Sequence, residues 1–177
     1  MIYSKEFRIF VAALGHPYGP NKERGVYRSL DGGKTLEQVL YFDENTGAVQ
    51  VGIDPNNTNI VFATIWSARQ GPWENGAWNG VSSGLYKSID GGNTWKKITK
   101  GLPTTTQDGL GRIGFTIAPS NSNRMYATVD AEKNGGIYRS DDAGESWKRM
   151  TSDNRYWGRA SDFAEVKVRS EEHTSEL

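Results

Sequence analysis

Three carboxylates recur in one setting along the 177-residue chain. Asp31, Asp90 and Asp142 each stand two residues after a serine and two before a glycine, in GVYRSLDGGKTLEQV (25–39), GLYKSIDGGNTWKKI (84–98) and GIYRSDDAGESWKRM (136–150). An acid offered three times suggests a proton donor or a cation ligand. Each is nevertheless a lone carboxylate beside turn glycines, without the alternating Asp/Asn ligands and closing Glu of a calcium loop. The chemistry that fits this spacing is internal. The carboxylate accepts hydrogen bonds from the backbone just ahead of it, as in an Asx turn, while Gly33, Gly92 and Gly144 supply positive φ. Trp95 and Trp147 open the return strand with a large apolar surface, and Leu36 keeps that place apolar in the first copy.

Other carboxylates suit hydrolysis better. Asp43, Glu44, Asp108 and Asp162 fall between the strand-like runs, and a glycoside hydrolase needs an acid and a base about 5–9 Å apart. Asp162, immediately ahead of an apolar run, and Asp43 form the candidate catalytic pair. Arg112 and Arg159 lie near the same strand ends and can grip carboxylates or sugar acids through two parallel hydrogen bonds. Tyr18, Trp73, Trp78, Tyr156 and Trp157 offer flat faces on which a sugar ring or a peptide can stack. Each has a plainer reading as well: solvated loop charge for the acids, a salt bridge between repeats for the arginines, a loop anchor for the aromatics. The two histidines, His16 and His173, and the absence of cysteine leave no zinc or thiolate site, so neither a metal nor a cofactor is expected.

These residues must be positioned by the repeat. The stretches AVQVGIDPNNTNIVFATIW (48–66) and RIGFTIAPSNSNRMYATVD (112–130) match as strand, Pro-Asn turn, strand. Each full unit therefore has four strands, A to D, with the Asp hairpin joining C and D, and recurs about every 50 to 60 residues. Antiparallel four-stranded units at such a period predict an all-β fold, the blades of a β-propeller. Residues 7–41 read as a partial first blade lacking its A strand, 47–99 and 111–151 as two complete blades, and 162–168 as the start of a fourth, giving a partial propeller over 1–168. The alternating direction of the strands puts the Asp hairpins and A–B turns at one end and the longer B–C and D–A loops at the other. Ligand chemistry is expected at the loop end, with Asp162 close to the central channel. The nearly unbroken apolar run Ile60–Trp66 is expected to pack on both faces. In the chain alone, the outer faces of the first and last blades are left uncovered, which predicts poor solubility or self-association.

Twenty-one basic residues balance 21 acidic ones, leaving no electrostatic footprint for nucleic acid, and no apolar run is long enough to span a membrane. The last nine residues, RSEEHTSEL, drop the strand pattern. One codon choice for them reads as a sequencing-library adapter, so 169–177 are set aside as an artefact and the natural chain is expected to continue.

The hairpin residues quoted above resemble the Asp-box, or bacterial-neuraminidase, repeat of β-propellers. Beyond them, GHPYGPNKERGVYRS, ARQGPWENG, GLPTTTQDGLGRIGFTIAPS and GRASDFAEVKV resemble large bacterial propellers of the sortilin-type, glycosyl-hydrolase-like kind, over residues 7–168. The resemblance implies a secreted or periplasmic bacterial protein longer than this one. Its partners would be a carbohydrate or peptide ligand and the remaining blades of its own chain. Function divides into a carbohydrate-active enzyme, namely a glycoside hydrolase, and a non-catalytic peptide-binding, glycan-binding or structural module. Sialidases place an arginine in Phe-Arg-Ile-Pro ahead of the first box. Here Phe7-Arg8-Ile9-Phe10 departs at the last residue and aligns with ordinary B strands. Xyloglucan-degrading propellers use two aspartates across a cleft, and no local motif maps either one onto this chain.

Overall fold

The computed structural model describes residues 7–16, 18–68, 78–157 and 165–168. Among the described residues, eleven strands form three antiparallel meanders. The first sheet holds β1 (Ile9–Ala13), β2 (Gly25–Ser29) and β3 (Glu37–Leu40). The second holds β4 (Thr46–Asp54), β5 (Asn57–Ser67), β6 (Gly84–Ser88) and β7 (Lys96–Ile98). The third holds β8 (Leu110–Ile117), β9 (Met125–Ala131), β10 (Gly136–Ser140) and β11 (Lys148–Thr151). A single helical turn, α1 (Thr105–Asp108), interrupts the connection from β7 to β8.

The sheets stack like blades, and the cores lie between them. Successive side chains of a strand point to opposite faces, so β5 serves two cores at once. Its Ala63 and Ile65 join Val26, Ala48 and Tyr86 against the first sheet, whereas Phe62 joins Leu85, Ile113, Phe115 and Trp147 against the third. This two-sided burial is what the apolar run at 60–66 predicts.

The three Asp hairpins close by the same hydrogen bonds. Asp31 accepts from the Thr35 N–H at 2.9 Å and the Thr35 hydroxyl at 2.7 Å, and the Ser29 hydroxyl bridges to Asp31 and the Gly33 N–H, each at 2.8 Å. Asp90 with Thr94 and Ser88, and Asp142 with Ser146 and Ser140, repeat the pattern. Ala143 adopts φ 54°, where the other copies have glycine. Gly92 and Gly144 are held by packing as well as by φ. A Cβ on Gly92 would sit 2.7 Å from the Phe10 ring, and one on Gly144 2.8 Å from the Phe62 ring, so each hairpin closes onto an aromatic of the preceding sheet.

A cation completes each contact between sheets. Arg28, on β2, donates to the Gly91 carbonyl at 2.8 Å and to Asn93 Oδ1 at 2.7 Å in the next hairpin. Lys87, at the matching place on β6, donates to the Ala143 carbonyl at 2.8 Å and to Glu145 at 2.6 Å. Arg8 also reaches across, to the Thr58 carbonyl at 3.3 Å at the start of β5. This puts the arginine of the Phe-Arg-Ile segment at the hairpin end, away from the long loops.

Leu36 keeps an apolar side chain in the tryptophan position but stands 55% exposed, because Trp95 and Trp147 are covered by a preceding sheet and, among the described residues, nothing precedes the first. The A strand expected at 162–168 is absent over residues 165–168, and 162–164 fall outside the described residues. An A strand pairs only with the B strand after it, and among the described residues none follows.

Candidate functional site

Hairpins and A–B turns gather at one end of the sheets, where the Gly91 N–H donates to the Asn59 carbonyl and the Ala143 N–H to the Asn123 carbonyl. The opposite end is knitted from loops. Asn21 bonds to Glu44, Ala68 to Asn45, Lys133 to Asp108 through backbone, and the Thr105 hydroxyl to the Gly80 carbonyl at 2.7 Å. Asp108 accepts from the Thr104 N–H at 2.9 Å and from Asn134 at 2.8 Å, and these donors, the Thr104 N–H first, hold its carboxyl below the usual range. Such a group stays ionised and serves as a clasp between loops rather than as a proton donor.

Asp43 lies in the connection from β3 to β4, exposed, with Oδ1 accepting from the Asn45 N–H at 2.8 Å and Oδ2 from the Thr46 hydroxyl at 2.9 Å. It borders a cavity of about 350 Å³ shared with Asn45, Ser67, Asn79 and Ser82. Behind it Arg24 is almost wholly buried and bridges the His16 and Ala68 carbonyls at 3.1 and 3.2 Å. Burial lowers its pKa and the Asp43 charge partly restores it. Arg24 was not singled out as a site residue. Its only sequence signal is a basic residue directly before a strand glycine.

The second cavity, about 260 Å³, opens where the first strands β4 and β8 run side by side. The Gln50 amide spans the two strands, donating to the Phe115 carbonyl at 2.8 Å and accepting from its N–H at 3.0 Å. The register of each strand slips beside the cavity, between Ala48 and Gln50 on β4 and between Leu110 and Ile113 on β8. Such bulges re-aim side chains, and here they bring Val49 and Arg112 to the cavity wall with Glu165. Burial lowers the Arg112 pKa, against the charges of Glu165 and Asp130.

Asp130 is the feature that sequence reading missed. It sits near the end of β9 opposite the β8 bulge, half-buried, and accepts from the Arg112 N–H. Burial raises its pKa, only partly opposed by that hydrogen bond and the Arg112 charge. Asp31, Asp90, Asp108, Asp141, Asp142 and Asp153 are shifted the other way. Gly111 makes room for it: a Cβ there would lie 2.7 Å from Asp130 Oδ2 and 3.1 Å from the Trp78 carbonyl. The signal was available, since Asp130 aligns with Trp66 at the end of the other complete B strand, a polar break in an apolar run.

Trp78 is half-buried, its ring 6.0 Å from the Trp66 ring in a stacked pair, and its carbonyl accepts from Trp66 Nε1 at 2.7 Å. Trp157 lies against Gly135 and donates to the Ser152 carbonyl at 3.4 Å. Tyr156 is exposed beneath the Arg155 guanidinium, and Tyr18 is exposed. Trp73, Arg159 and Asp162 lie outside the described residues. Arg112 and Asp130 are thus brought together, while Asp43 sits at a separate cavity. Among the described residues no group of three or more His, Cys, Asp or Glu is placed to hold a metal ion, and no helix is long and apolar enough to cross a membrane.

No protein-family model matches the chain. Among curated proteins it is similar to the xyloglucanase Xgh74A of Acetivibrio thermocellus, at 30% identity over 168 residues, covering 81% of this chain and 18% of that protein. It is similar also to a xyloglucanase of a Paenibacillus species, at 28% identity over 152 residues and 80% and 13% coverage. An oligoxyloglucan-reducing end-specific xyloglucanase of Emericella nidulans is 32% identical over 81 residues, 45% of this chain and 10% of its own. The chain therefore spans less than a fifth of these relatives. Among solved structures it superposes on an ancestral GH74 enzyme with a TM-score of 0.58, at 20% identity, covering 87% of this chain and 18% of that one. The GH74 xyloglucanase of Xanthomonas campestris gives a TM-score of 0.53 at 20% identity, with 82% and 22% coverage. The fold is that of a β-propeller, of which these sheets form an arc.

Proposed function

We propose that this chain is part of a carbohydrate-active β-propeller, a glycoside hydrolase acting on xyloglucan-type β-glucans, with the glycan on the loop end. The observation that carries the reading is Asp130. A carboxyl raised by burial keeps its proton closer to neutral pH and can deliver it to a glycosidic oxygen, the part of the general acid in either stereochemical course of hydrolysis. The similarity to proteins named xyloglucanases supports the substrate class.

The companion carboxylate is proposed at Asp162 or Asp43, with Arg112 and Arg159 gripping polar groups of the glycan and Tyr18, Trp73, Trp78 and Trp157 stacking on its rings. Asp31, Asp90 and Asp142 are proposed as purely structural clasps, since their acceptor atoms are engaged within their own hairpins. The narrower kinship with Asp-box and sortilin-type propellers, and an extracellular location in a bacterium, belong to the same proposal. The alternative, a glycan-binding module without hydrolysis, draws on the aromatic residues of the loop end.

The test is Asp130→Asn in the full-length protein, measured by release of reducing ends from xyloglucan and by binding to the same polymer. The reading expects kcat to fall by about 10²–10⁴ with binding kept. Unchanged hydrolysis refutes Asp130 as the acid, and binding without hydrolysis in the unaltered protein supports the module.

A further inference from the structure

The contact between successive sheets has a fixed chemistry, seen twice. The earlier sheet offers an aromatic, Phe10 or Phe62, and a cation, Arg28 or Lys87. The later sheet offers a hairpin glycine and a tryptophan, with a carbonyl (Gly91 or Ala143) and an acceptor side chain (Asn93 or Glu145) for the cation. The first sheet presents the same receiving face to solvent: Phe7, Ile9, Val11 and Leu36 are 64%, 40%, 41% and 55% exposed, an apolar surface. It departs at one residue. Where Asn93 and Glu145 accept, the first hairpin carries Lys34, beside the Gly32 carbonyl.

A cation fits badly there, because it would meet an ammonium. A carboxylate would satisfy Lys34 but face the Gly32 carbonyl, acceptor against acceptor. A neutral amide answers both, its N–H to the carbonyl and its oxygen to the ammonium. We propose that the outer face of the first sheet docks a β-sheet that carries glutamine or asparagine in the place held by Arg28 and Lys87, and that Lys34 bars a second copy of this chain. The copy would bring Arg139 to that place. Arg139 and Arg124 already share one carboxylate, Asp141, at 2.9 and 2.8 Å, which leaves the group net positive. Charge complementarity, rather than apolar area, then decides which sheet is accepted.

Sedimentation velocity on the chain and four variants tests this. Arg139→Gln creates the amide on the presenting face, and Lys34→Glu creates an acceptor on the receiving face. Each is expected to tighten head-to-tail association at least about tenfold over the unaltered chain. Lys34→Glu combined with Arg139→Glu is expected to abolish the gain, as is Ile9→Lys added to Arg139→Gln. Circular dichroism checks that each variant is folded. The three side chains concerned, Lys34, Arg139 and Ile9, are each at least partly exposed. Association of the unaltered chain as tight as that of Arg139→Gln, or no gain in either single charge variant, overturns the proposal.

Discussion

Lys87 is the sharpest place to test how the sheets are held together. Its side chain is 8% exposed, it donates to the Ala143 carbonyl and to Glu145, and its ammonium lies 5.5 Å from the centre of the Phe62 ring. Replacing it by methionine keeps most of the stem and its packing but removes the charge. The loss then comprises a hydrogen bond from a charged group, about 1.5–3 kcal/mol, with the Ala143 carbonyl left unanswered in a part-buried position. Glu145 contributes less, because it is half-exposed and solvent screens the pair: Glu145→Gln is expected to cost about 0.5–1 kcal/mol. A total of about 2–3 kcal/mol for Lys87→Met lowers the melting temperature by about 4–12 °C for a chain of this size. Urea unfolding followed by tryptophan fluorescence reads this directly, since Trp147 is buried in the same core. A Lys87→Met variant within about 0.5 kcal/mol of the unaltered protein would refute the carbonyl contact as the source of stability. So would a Glu145→Gln variant that costs as much.

The hairpin aspartates give a pH dependence. Asp31, Asp90 and Asp142 are held at about 2 by hydrogen bonds, led by the Thr35 N–H, the Thr94 hydroxyl and the Ser146 hydroxyl respectively. Their folded pKa lies below the unfolded value, so their contribution is complete above about pH 4 and is lost as pH falls toward 2. An acid unfolding midpoint that does not rise in Asp90→Asn would contradict this. Asp130 has the opposite sign: its raised pKa makes the folded state bind the proton more tightly, and stability declines as pH rises through that window. Asp130→Asn should therefore raise the melting temperature at pH 7, and equal or lower stability there would argue against a desolvated carboxyl. Ala143→Gly, which relieves a positive φ, should stabilise by about 0.5–1 kcal/mol. Gly144→Ala, at φ 80° and against Phe62, should destabilise by about 2–4 kcal/mol, and thermal melts of the pair would show the two signs.

The hairpins were legible because everything that closes them lies within a few residues: Ser29, Asp31, Gly33 and Thr35 bond to one another and need no distant partner. The two-sided run at 60–66 was legible for a related reason, since burial on both faces leaves an unbroken apolar word. Leu36 shows where local reading stops, because its burial depends on a sheet that is not its own. Asp130 shows the same limit at the site. Burial raises its pKa, against the hydrogen bond and charge of Arg112, neither of which chain distance reveals, and only the polar break in strand pattern marked it. Arg24 was hidden likewise, its two carbonyl partners lying on either side of a contact between sheets.

The alternation of β5 has a consequence for how the protein breathes. Because Ile65 answers to one core and Phe62 to the other, neighbours along that strand are energetic strangers, while Phe62 and Gly144 are partners across nearly half of the chain. Substitutions at 62 and 65 should add, and those at 62 and 144 should not. The unit that opens and closes is then the seam between two blades, and the blade that the sequence repeats is only half of each of two such units.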